Sequence, residues 1–182
     1  MAALARADAL AAKIVLMAIV ACFVALLHHG HIVMFLTDVR AQLRGRKELQ
    51  GARIRQESSK LEIDFGDPDT HYVVAVHRKQ RSLEVGLHFE GERDENERRL
   101  QMLADRGDML RSRLGASIEM EHWGRGWTRV HDTTVLSSED WSPKRDLTQA
   151  MVLDTARRVL RFVRVLQPLV KRLARGCDHA RY

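Results

Sequence analysis

The chain has 182 residues, with 30 Lys and Arg against 24 Asp and Glu, a formal net charge of +6 and an isoelectric point near 9.8. Its two cysteines, Cys22 and Cys177, lack Cys-x-x-Cys spacing, so no disulfide framework or thiolate zinc site is suggested and a reducing compartment is the default. The modest positive charge permits nucleic acid or anionic lipid as partner and favours neither.

Near the N-terminus, Ile14 to Leu36 carries no Asp, Glu, Lys or Arg, and its first fourteen residues are all apolar. Ala9 to Leu27, with Lys13 as its single charge, meets the length of about 20 residues that a bilayer span requires. Arg40, Arg44, Arg46 and Lys47 follow, placing the C-terminal side in the cytoplasm if residues 9–27 cross a membrane. Two other readings stay open. The run is a helix buried on the domain or in an oligomer interface, or translation starts at Met34. Residues 1–33 are therefore set apart from a single domain over residues 34–182, located in the cytoplasm or at the cytoplasmic face of the membrane.

Phe35, Val39 and Leu43 recur every four residues and predict a helix over residues 35–50. Leu61, Ile63 and Phe65 alternate with Glu62 and Asp64 in a short strand, closed by the turn Gly66-Asp67-Pro68-Asp69. Tyr72 to His77 reads as a second strand and Ser82 to Glu90 as a third, joined by the polar tip Arg78-Lys79-Gln80-Arg81. In the third strand Leu83, Val85, Leu87 and Phe89 face one way, and Glu84, Gly86, His88 and Glu90 the other. Asn96 to Leu114 is a helix weakened at Gly107 and capped by Gly115. Ser117–Trp123 and Trp127–Thr133 form a hairpin around Gly124-Arg125-Gly126, whose glycines can take positive φ. Simple pairing sets Trp123 opposite Trp127, Glu121 opposite Arg129 and Glu119 opposite His131, all on one face. A helix from Lys144 to Arg175 ends the chain, with Pro168 expected to kink or divide it. The fold class is α+β: a two-layer domain with about five largely antiparallel strands covered by helices, preceded by an N-terminal hydrophobic helix.

Three groups of residues invite a functional reading. Arg157, Arg161 and Arg164 share one helix face and suit phosphates, although a solvated face also explains them. Trp123 and Trp127 flank Arg125 and could grip a base or a peptide, or simply stabilise a hairpin end. Glu62, Asp64, Glu84 and Glu90, with His88 on the face of Glu84, could hold Mg²⁺ as in a nuclease or line a small-ligand pocket. His28, His29 and His31 lack a fourth metal-binding group nearby and read as an interfacial cluster. No catalytic residue, cofactor or metal ligand is assigned on this basis. The expected function is binding or oligomeric assembly, as a homo-oligomer, with no catalysis implied. The alternatives are a nucleic-acid-binding protein, extending to a metal-dependent nuclease, and a membrane-anchored cytoplasmic domain. A nucleic-acid protein requires the tryptophan tip and the arginine row to form one continuous basic surface.

Overall fold

In a computed structural model, residues 17, 30–137 and 148–178 are described, with side chains to residue 173. A helix over residues 30–43 (α1) leads through a single 3₁₀ turn, Lys47–Leu49, into strands Arg53–Gln56 (β1), Lys60–Asp64 (β2), Thr70–His77 (β3) and Ser82–Phe89 (β4). Helices Arg93–Ala104 (α2) and Gly107–Leu114 (α3) follow, then Glu119–Trp123 (β5), Trp127–Val135 (β6) and the long helix Gln149–Asp178 (α4). The strands form one antiparallel sheet in the order β1-β2-β3-β4-β6-β5.

The α+β class and antiparallel sheet agree with the sequence reading, and the strand count rises from about five to six. The added strand is β1. Its sequence, Arg-Ile-Arg-Gln, offers one apolar side chain and lies at the sheet edge, so it has almost no hydrophobic alternation to read. The expected N-terminal hydrophobic helix and the span over residues 9–27 fall outside the described residues, apart from Met17. No described helix is long and apolar enough to cross a membrane. The core reaches back to Ile32, ahead of the domain boundary expected after residue 33.

One sheet face carries Leu61, Ile63, Tyr72, Val74, Val76, Leu83, Val85, Leu87, Phe89 and Val130 into the core. Phe35, Leu36, Val39 and Leu43 from α1 and Val152, Val159, Phe162, Val163 and Leu166 from α4 join them there. The 3.6-residue period thus meets the two-residue period across a single apolar layer. A hydrogen bond of 3.0 Å from the Tyr72 hydroxyl to Gln167 Oε1 joins β3 to α4. Arg158 Nη2 donates to Asp132 Oδ2 at 2.8 Å and joins α4 to β6.

Pro168 lies inside α4 without dividing it. The proline is exposed, so the carbonyl it leaves unbonded faces water, and neighbouring Leu166 and Leu173 remain buried. Gly107 begins α3 instead of interrupting one long helix, because the chain turns at Asp105–Arg106.

In the first turn of α2, Glu95 accepts bonds from Arg98 at 2.8 Å and Arg99 at 2.7 Å. The Arg98 bond is the largest influence on its carboxyl, partial burial opposes it, and the Arg99 bond adds to it; the net result lowers the pKa from 4.5 to about 2. A depressed folded pKa contributes stability above the unfolded value and loses it as pH falls through the folded value. Glu95→Gln should therefore melt below the natural protein at pH 7, by about 0.5–1 kcal/mol for partly exposed pairs. That gap should close between about pH 4.5 and pH 2, and thermal melts of both proteins across this range check it. A gap that stayed constant with pH would contradict the assignment.

Candidate functional site

Alternation along the strands sends the opposite sheet face a polar set, and the register lines it into rows. The first row runs Arg53, Asp64, His71, His88, Arg129 and Glu121, one residue from each strand. The next runs Arg55, Glu62, Val73, Gly86, His131 and Glu119. Glu84 and Lys60 flank Ala75 in a third. Gly86 is required at the centre of this face, because a Cβ there would lie 2.9 Å from His131 Cβ and 3.1 Å from the Val130 carbonyl oxygen.

Despite their polarity, Asp64, His71, Glu84, His88 and His131 are buried. They cover one another. Glu84, 1% exposed, accepts bonds from His88 Nε2 at 2.7 Å, His77 Nε2 at 2.8 Å and Arg129 Nη1 at 2.8 Å. Burial alone would raise its pKa. The bonds from His77 and His88 and the charge of Arg129 outweigh it and hold the carboxyl far below the usual carboxylate range. Arg129 also donates two bonds to Glu121 and stacks over Trp123, 5.2 Å from the ring centre.

On the β1 side, Arg53 donates to Asp64 Oδ1 at 3.1 Å, Arg55 reaches Glu62 at 3.2 Å, and Lys60 Nζ donates to Glu62 at 2.5 Å. Lys60 is thus a cation beside these carboxylates. Burial opposes ionisation of Glu62, and the Lys60 bond and charge still lower its pKa.

Between these groups lies a cavity of about 160 Å³ lined by Lys60, His71, Glu84, His88, Trp123 and Arg129, among others. The buried Trp123 Nε1 finds no acceptor among the described residues. Trp123 also contacts His88, with ring centres 5.2 Å apart, and Trp127, at 5.3 Å. The pairing of Trp123 with Trp127, Glu121 with Arg129 and Glu119 with His131 follows the sequence-derived register. At the hairpin tip, positive φ falls on Arg125 (56°) and Gly126 (79°) but not on Gly124, the pattern of a type I′ turn. Arg125 stacks over Trp127, 5.5 Å from the ring centre.

The arginine row lies elsewhere. Arg157 and Arg161 sit on the solvent side of α4, and Arg164 pairs with Glu48 at 2.6 Å. Because α4 packs on the apolar sheet face, the sheet and the helix layer separate this row from Trp123, Arg125 and Trp127. The tip and the row do not form one basic surface. The apolar stripe of α4 is in the domain core. The large exposed hydrophobic side chains among the described residues are Met17, Met34 and Val135. A second, wider groove between α2 and the β5–β6 tip is open to solvent and lined by both signs of charge, including Arg93, Glu97 and Arg125.

Sequence reasoning misses His71. The apolar pattern starts the second strand at Tyr72, whereas β3 begins at Thr70, and this start puts His71 directly opposite His88. The period-two pattern His71, Val73, Ala75, His77 beside Glu84, Gly86, His88 is the available signal. No protein-family model, curated protein or solved structure matches the chain.

Proposed function

We propose that this domain works by binding, and that the polar face of its sheet is where it binds. The cavity beneath Trp123 carries the reading. Its lining includes the buried Glu84, His71 and His88, whereas the polar face of an ordinary half-buried sheet is solvated. Its size limits the occupant. At a share of about 30 Å³ per water, 160 Å³ holds roughly five waters. Organic ligands of drug or cofactor size need pockets of about 300–1,000 Å³. The occupant is therefore an ion or a small polar molecule.

Lys60 and Arg129 line the cavity as cations, so a small oxygen-bearing ligand finds complementary charge. The tryptophan tip and the arginine row lie apart, which favours this reading over nucleic-acid binding. Thermal melting of EDTA-washed protein against inorganic phosphate, sulfate, acetate and glycine tests the proposal. At least one should raise the melting temperature saturably, and the rise should diminish in Lys60→Gln, which removes a lining cation. A panel that leaves melting unchanged would sink the proposal.

A further inference from the structure

We infer that the polar face holds a divalent first-row metal ion through His71 Nε2, His88 Nδ1 and the Glu90 carboxylate. The inference rests on that face being the binding site and specifies what is bound there. These three ligand atoms all lie within 4.8 Å of one another. Glu90 Oε1 is 3.6 Å from His71 Nε2 and 3.5 Å from His88 Nδ1. Metal–nitrogen and metal–oxygen bonds of about 2.0–2.2 Å in a tetrahedron separate neighbouring ligands by roughly 3.3–3.5 Å. The two Glu90 edges are thus close to a ligating spacing, and the third, between the imidazoles, is within 4.8 Å.

The second nitrogen of each histidine gives the independent support. A metal-bound imidazole donates its other N–H to a carboxylate or a backbone carbonyl, which fixes the ring and directs the free lone pair at the ion. Both partners are in place. His71 Nδ1 donates to the Pro68 carbonyl at 3.2 Å, and His88 Nε2 donates to Glu84 Oε1 at 2.7 Å. The outward nitrogens, His71 Nε2 and His88 Nδ1, are the two that face Glu90.

The backbone fixes the third ligand in the same way. The Glu90 amide donates to the Asp69 carbonyl at 2.8 Å. Gly91 lets the Asp69 turn approach, since a Cβ there would meet Asp69 Cβ at 3.2 Å. The turn Gly66-Asp67-Pro68-Asp69 therefore orients one histidine through Pro68 and seats the carboxylate through Asp69.

A second candidate group, Glu119, Glu121 and His131, is weaker. There Glu121 Oε1 already accepts both Arg129 nitrogens, so an ion would have to displace a guanidinium. In the first group, the ion pairs of Glu90 among the described residues are with His71 and His88 themselves. Two imidazoles and a carboxylate suit Zn²⁺, Fe²⁺ and Co²⁺ over Mg²⁺ or Ca²⁺, and three protein ligands leave coordination open to an added small ligand. His71, His88 and Glu90 also border the cavity, so that ligand has a place beside Lys60 and Trp123.

The test uses untagged full-length protein, stripped with EDTA and titrated with Co²⁺, with visible ligand-field absorption as readout and Zn²⁺ as competitor. One Co²⁺ per chain is expected, displaced by Zn²⁺. His71→Ala and Glu90→Gln should abolish the spectrum. Glu84→Gln, which disturbs the bond orienting His88 along with those from His77 and Arg129 but removes no ligand atom, should weaken binding by about 10–100-fold. The triple change of His28, His29 and His31 to alanine, and His131→Ala, should each bind as the natural chain does. Circular dichroism checks folding; if His71→Ala does not fold, Glu90→Gln alone decides. Absence of stoichiometric Co²⁺ binding, or unchanged binding in Glu90→Gln, overturns the inference. If no metal binds while an anion still raises the melting temperature in EDTA, the metal site fails and the binding face survives. If neither binds, both fall.

Discussion

Glu84→Ala should destabilise the domain by about 3–5 kcal/mol, the loss expected when one partner is removed from a buried charge cluster. For a domain of this size that lowers the melting temperature by roughly 6–20 °C. The magnitude comes from what remains behind. Glu84 is the common acceptor for His77, His88 and Arg129, and it lies on the central strand β4. Without it, Arg129 keeps Glu121, but the Arg129 Nη1 donor and buried His88 Nε2 lose their shared acceptor. Glu84→Gln retains shape and one acceptor oxygen, so a smaller loss of about 1–3 kcal/mol is expected. Urea unfolding of both variants measures the difference. A loss below about 1 kcal/mol in Glu84→Ala would mean that the groups around it do not depend on it.

The second large effect belongs to the other side of the sheet. Phe162→Ala should cost about 3–5 kcal/mol, combining lost transfer free energy with the cavity left behind. Phe162 is 1% exposed on the face of α4 that packs among the sheet residues, so the surroundings have little room to collapse. Arg161→Ala, one residue away and exposed, should change stability by less than about 0.5 kcal/mol. Phe162→Ala contributes nothing to the polar face. Well below its melting temperature it should retain whatever affinity that face shows, and equilibrium unfolding beside the binding assays separates the two effects. Equal losses from Phe162→Ala and Arg161→Ala would contradict the packing of α4.

How much of the fold is legible in the sequence depends on local period. Leu83, Val85, Leu87 and Phe89 against Glu84, Gly86, His88 and Glu90 alternate without error, so the residues alone define β4 and its two faces. The β5–β6 register is equally plain, because a three-residue connection leaves little freedom in which residues meet. The site is less legible, since it depends on pairing between strands. His71 faces His88 only because β3 starts at Thr70 and the β3–β4 tip holds four residues. A period of two puts Lys60 on the face of Glu62 and Asp64, but the apolar alternation begins at Leu61 and does not carry the strand back to Lys60. In the fold Lys60 is the first residue of β2 and shares a face with Glu62. Nor can sequence show that the polar face buries itself, because Arg129 and Trp123 reach it from a hairpin more than thirty residues further along the chain.

The strand order has a consequence for how the molecule assembles. β1 to β4 form a meander of neighbours joined by short connections, and β5–β6 form a separate hairpin. The two meet only where β6 pairs with β4, after the intervening α2 and α3. Each unit relies on contacts close in sequence, which form quickly, and closing the longer loop is the slower step. His71, Glu84, His88 and Glu90 all come from the meander or its immediate end, whereas Trp123 and Arg129 arrive with the hairpin. In chain order the paired histidines and their orienting carboxylate thus come first, and the indole and guanidinium that cover them come from a later, separate hairpin.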